Sequence, residues 1–139
     1  MKTDFLDAAK RHFQDAEHLH SEGRLPNADQ LYGLAAECAL KAIMLGLNIM
    51  TLDARGRPID GRHQVHIDKL WGEFASAASG RQASKYASQL GSKNPFVDWG
   101  IYQRYWHSQH IEKSHVEDHR NGAHRAHAVL LQAEEDGLL

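Results

Sequence analysis

The sequence predicts an all-α protein: an antiparallel up-and-down bundle of four to six helices, formed as a single domain over residues 1–139. Three observations carry this expectation. Apolar residues recur at helical spacing through most of the chain, while no alternation of β-branched residues persists. Alanine, leucine and glutamate, all good helix formers, dominate the composition. The links between periodic segments are short and marked by glycine or proline, which favours antiparallel neighbours.

The first helix is expected from about Asp4 to Glu22, with Phe5, Leu6, Ala9, Phe13, Ala16 and Leu19 on one stripe and Thr3 or Asp4 as its cap. Gly23 stops it and Pro26 opens the next. The second helix, roughly Asn27 to Leu47, is apolar almost all round (Ala28, Leu31, Leu34, Ala35, Cys38, Ala39, Ala42, Ile43, Leu45), which places it in the middle of the bundle. Within it Glu37 and Lys41 stand four residues apart with the acid first, the favourable order for a helical ion pair. Two readings stay open: a pair on a solvated stripe, or a partly buried pair that fixes helix register or faces a partner chain.

Residues 50–64, "MTLDARGRPIDGRHQ", form the longest irregular segment, and a loop of that length is either functional or mobile. "VHIDKLWGEFASAAS" then reads as a third helix with Ile67, Leu70, Trp71, Phe74 and Ala78 inward, and "RQASKYASQL" as a shorter fourth. Beyond Gly91 and Pro95, "FVDWGIYQRYW" reads as a short aromatic helix. Its packing or interface residues are Val97, Trp99, Ile101, Tyr102 and Trp106, and with Tyr105 the cluster also has the chemistry to stack bases. The final helix begins near Val116, its core stripe marked by Ala123, Ala126, Leu130 and Ala133. A start only after Gly122 is the alternative, because an interior glycine costs about 1 kcal/mol against alanine.

An apolar fraction of 42% and a charged fraction of 24% suit a globular domain. The most apolar stretch, "LAAECALKAIMLGL", is interrupted by Glu37 and Lys41, so no membrane span is expected. The start "MKTDFLDAAKRH" has no signal-peptide core, and the single cysteine allows no internal disulfide; both point to the cytoplasm. Cys38 lies in the most apolar helix and reads as a core residue rather than a nucleophile. A net charge of −2 does not mark a nucleic-acid binder, so contact with a polyanion has to come from a local patch such as Arg104 to His127.

No nucleophile elbow, phosphate-binding glycine loop, dinucleotide fingerprint or CxxC pair occurs. The 11 histidines include several pairs at helical spacing, but there is no HExxH and no carboxylate at a familiar third-ligand spacing. Neither a metal nor a cofactor is expected. One stretch stands out: "HRNGAHRAH", residues 119–127. On a helix Arg120, His124 and His127 fall at i, i+4 and i+7 on one face, spanning about 10 Å. His119 and Arg125 point elsewhere and are expected to be solvated. Arginine presents a planar fork to phosphate oxygens, and histidine exchanges protons near neutral pH. Together they meet the minimum for metal-independent RNA cleavage, in which a ribose 2′-hydroxyl attacks the adjacent phosphate. One histidine cannot easily serve as both base and acid, so two copies of the site in a dimer would be natural.

The chain resembles the HEPN domains, small helical proteins of the "higher eukaryotes and prokaryotes nucleotide-binding" class. The resemblance is carried by "FLDAAKRHFQDAEHL", "NADQLYGLAAECALKAIML", "HIDKLW" and "RYW". Active HEPN proteins have an arginine, usually followed by a polar residue, then four to six residues to a histidine. Arg120, Asn121 and His127 fit that pattern with six residues between, and Arg104 and His110 fit with five, although Tyr105 replaces the polar follower. The resemblance implies a HEPN-like bundle and an RNA-cutting homodimer, often the toxin restrained by a nucleotidyltransferase-type antitoxin. Arg120 would hold the phosphate, Asn121 orient the scissile group and His127 move protons, with His124 in support. Relatives without the motif act as non-catalytic modules that bind a protein partner or a nucleotide.

Overall fold

The computed structural model describes residues 2–139. It contains five α-helices: α1 (Phe5–Ser21), α2 (Leu25–Gly46), α3 (Ile67–Ala77), α4 (Arg81–Leu90) and α5 (Lys113–Glu135). Short 3-10 turns lie at Gly61–His63, Ile101–Tyr105 and Ser108–His110, and no strand forms among the described residues. The only extended pairing there is an isolated bridge between Leu52 and Pro58, which pinches the 50–64 loop. Among the described residues no helix is long and apolar enough to cross a membrane.

The Asp4 side chain caps α1 by accepting from the Asp7 N–H at 3.0 Å. A turn of three residues then reverses the chain, and α1 and α2 pack along their lengths as a helical hairpin. α2 is the central element, packed on α1, α5 and α3, and every residue from Ala35 to Met44 is buried. Cys38 is among them; burial, then the Glu37 charge, push its thiol up to about 12, so it stays protonated as a core residue. Ile67, Leu70, Trp71 and Phe74 of α3 are wholly buried, as are Ala126, Leu130 and Ala133 of α5.

Glu37 and Lys41 are not a solvated pair. Their side chains are about nine-tenths buried and meet at 3.2 Å. The second Glu37 oxygen lies 2.9 Å from His66 Nδ1 at the start of α3, so the pair locks α2 to that helix. The aromatic segment also departs from expectation, because it is not an α-helix. Of its rings only Phe96 and Trp99 pack inward, Trp99 donating its indole N–H to the Asp29 carbonyl at 3.1 Å. Val97, Tyr102 and Trp106, expected as packing residues, are exposed. Gly100 and the 3-10 turn after it break the helical period that would have turned these rings toward the core.

α5 starts one turn before Val116 and runs straight through Gly122. The glycine is there for space. A Cβ at Gly122 would fall 2.4 Å from Pro95 Cγ and 2.7 Å from the Phe96 ring, and one at Gly33 of α2 would fall 2.0 Å from the Trp99 indole. These two glycines let the 95–99 loop lie directly on α2 and α5. Gly122→Ala is therefore expected to lower the melting temperature. Overpacking costs about 1–3 kcal/mol, against a helix-propensity gain of about 1 kcal/mol. A rise in melting temperature by circular dichroism would mean the loop gives way freely.

Candidate functional site

Arg120, His124 and His127 lie together on the flank of α5 that faces α1. Glu17 organises this flank. Its Oε2 accepts from the Tyr32 hydroxyl at 2.6 Å and from Arg120 Nε at 3.0 Å, while Oε1 contacts His124 Nε2. Burial works against the Glu17 charge, but these donors outweigh it and hold the carboxyl below its ordinary range. The same carboxylate raises the Arg120 pKa, keeping the guanidinium fully charged. Arg120 Nη1 lies only at the edge of ion-pair range, 4.0 Å from Glu117, and its side chain is one-third exposed.

One turn further along, Phe13 of α1 fixes both imidazoles. The His127 ring stacks flat on it with centroids 4.0 Å apart, and His124 meets it edge-on at 4.9 Å. Burial, with the charges of His124 and Lys10, lowers the His127 pKa below its ordinary value of 6.5. At neutral pH His127 is therefore a neutral, half-buried base. The seam continues both ways, with His20 Nε2 2.6 Å from Glu117 and Lys10 2.8 Å from Glu134.

Asn121 is not brought to this flank. One residue is about 100° of helix, and it borders a separate cleft of about 310 Å³ with Lys93, Asp98, Asp118 and Arg125. Arg104 and His110 are exposed on the second and third of the 3-10 turns, respectively. Arg104 lies over the Tyr105 ring at 4.9 Å, and the His110 ring sits beside that of His107. No group of three or more His, Cys, Asp or Glu side chains is placed to hold a metal ion among the described residues.

His119, expected in solvent, is instead wholly buried. Its Nδ1 is 2.6 Å from Asp29 of α2 and its Nε2 2.6 Å from Asp98 of the 95–99 loop, with Phe96 stacked on the ring. An ionised carboxylate only accepts, so both ring nitrogens must donate. Burial opposes the charge, but Asp29 and then Asp98 outweigh it and raise the pKa, while His119 lowers that of Asp98. His119 is an imidazolium clamped between two carboxylates. The signal was present in the sequence: Val116, His119, Ala123, Ala126, Leu130 and Ala133 form one unbroken i, i+3, i+7 stripe, and all six are buried.

No family model, curated protein or solved structure matches the chain. The functional reading therefore rests on the residues themselves.

Removing one partner of a buried, hydrogen-bonded ion pair costs about 3–5 kcal/mol. Asp29→Asn and His119→Ala should each lower stability by about that much in chemical denaturation. The raised His119 pKa also sets a pH dependence. Its contribution is complete below the unfolded value of about 6.5 and is lost as pH rises through the folded value. Wild-type melting temperature should fall over that alkaline range, and His119→Gln, less stable throughout, should lack the fall. Parallel wild-type and variant curves would contradict the clamp.

Proposed function

We propose that the protein is a metal-independent endoribonuclease of the HEPN type, acting as a homodimer on an RNA strand laid along the α1–α5 flank. The observation that carries this reading is the shared face of Arg120, His124 and His127, with His127 neutral and its ring held by Phe13. Glu17 takes only Arg120 Nε, so the Nη edge of the guanidinium is left for a phosphate oxygen. His127 accepts the 2′-hydroxyl proton as that oxygen bonds to phosphorus. The 5′-oxygen then leaves, taking a proton from His124 or from the same histidine in a second copy. The products are a 2′,3′-cyclic phosphate and a 5′-hydroxyl. Asn121 faces the neighbouring cleft and is left without a part in the same phosphate contact. Arg104 and His110 form the alternative pair, but neither ring nor guanidinium there is set by a carboxylate. A cytoplasmic toxin held in check by a nucleotidyltransferase-type antitoxin is the biological setting this activity suits.

A second reading, a non-catalytic HEPN-like module that binds a protein or nucleotide, is favoured by one specific contact: Glu17 already neutralises Arg120 and touches His124. Mutation separates the two. His127→Ala and Arg120→Ala should each reduce RNA cleavage by about 10²–10⁴-fold while dimerisation and helicity persist. Cleavage that survives both changes would exclude this flank as the site. Because the His127 pKa is lowered, kcat/KM should fall on the acid side with a midpoint below pH 6.5. An acid limb centred above 6.5 would remove His127 as the base.

A further inference from the structure

Between Trp99 and Ile111 the chain holds three large rings in solvent. Tyr102 and Tyr105 are each 72% exposed and Trp106 53%. Exposed apolar residues are ordinarily scattered singly; a cluster of rings marks a contact surface. The loop that displays them is fixed. Trp99 anchors its start in the core, the Gly100 N–H donates to the Gln103 side chain at 2.9 Å, and the Trp106 N–H donates to the Gln103 carbonyl at 3.0 Å. None of the three rings packs on another aromatic ring among the described residues.

The segment itself carries no acid. The chain has 18 acidic residues, yet none falls between Trp99 and Ile111. Arg104 lies against the Tyr105 face. Trp106, His107 and His110 line an apolar hollow of about 480 Å³, and Ser108 borders a neighbouring cavity with Arg24 and Asn27. Flat rings beside the Arg104 guanidinium, with no acid in the segment, complement nucleobases on an anionic backbone. Position agrees with this chemistry. Ser108 abuts the α1–α2 turn, from which the α1–α5 seam runs through His20 and Glu117 to Glu17 and Arg120. Arg120 stands about 10 Å along α5 from Lys113, the first residue of that helix.

We infer that the loop Ile101–His110 is a platform on which unpaired bases of single-stranded RNA stack, with Arg104 and Arg24 meeting the flanking phosphates. It rests on RNA being the ligand, as proposed above, and assigns the single-stranded form as the substrate class. The probe is a short, fluorescently labelled 2′-O-methyl oligoribonucleotide, which binds as RNA but has no free 2′-hydroxyl to attack. Wild-type protein should bind it at low salt with anisotropy rising on titration. The paired change Tyr105→Ala and Trp106→Ala should weaken binding about ten-fold or more, and the Phe counterparts should retain it. Affinity unchanged by the alanine pair, equal affinity for a blunt duplex, or conversion of a dimer to a monomer by the alanine pair would each overturn the platform. Binding that depends on the rings in a protein that cuts no RNA would uphold the platform and refute the ribonuclease. Cutting that ignores the rings, together with unchanged binding, would do the reverse.

Discussion

A charged histidine with no contact to water holds this bundle in register. His119 joins α5 to Asp29 of the central helix on one side and to Asp98 of the 95–99 loop on the other, both at 2.6 Å. Burying an imidazolium and carboxylates carries a desolvation cost of several kcal/mol per ion, recovered only when every donor and acceptor is matched. Here both ring donors are used, and the remaining Asp98 oxygen lies 3.3 Å from His115. The Asp29 carbonyl also receives the Trp99 indole, so one residue of α2 holds both α5 and the loop. An apolar residue in place of His119 would fill the space without fixing the rotation of α5.

That rotation decides what the other side of α5 presents. Arg120 follows His119 by one residue, and its side chain is turned toward Glu17 on α1; His124 and His127 follow on the same face. Glu17 does two things at once. It stabilises the helical hairpin through the Tyr32 hydroxyl, and it fixes one edge of the arginine while leaving the other. His127 differs from its neighbours because an aromatic ring, rather than a carboxylate, supports it. Its proton affinity is lowered by burial and nearby positive charge, which keeps the ring unprotonated at neutral pH.

Much of the fold was legible in the sequence because it follows from apolar period. The central place of α2, the inward residues of α3 and the span of α4 are all consequences of which residues avoid water. What the period could not convey was how polar residues are used inside. His119 continues the α5 stripe by one turn, yet a histidine there reads as surface until its two carboxylates, far away in sequence, are placed beside it. Glu37 and Lys41 have the spacing of a surface pair, and only the packing of His66 and Phe5 around them makes the pair internal. The 99–106 segment misled in the opposite direction, since its aromatic composition suggests core while a glycine and a 3-10 turn direct the rings outward. For the candidate site, the spacing of Arg120, His124 and His127 was enough to place them on one face. The separation of Asn121 follows from the same geometry. The part played by Glu17 and Phe13 was not accessible, because nothing in their own helix marks them as partners of α5.

The central claim is that the α1–α5 flank cuts RNA by internal attack of the 2′-hydroxyl. It is tested most directly by the chemistry of the ends it leaves. Purified wild-type protein, incubated in EDTA with a single-stranded RNA and with the all-deoxy strand of the same sequence, is followed by mass spectrometry. The account predicts RNA fragments ending in 2′,3′-cyclic phosphate and 5′-hydroxyl, with the DNA strand intact. Intact RNA, or cleavage of both strands to 5′-phosphate ends, would contradict it.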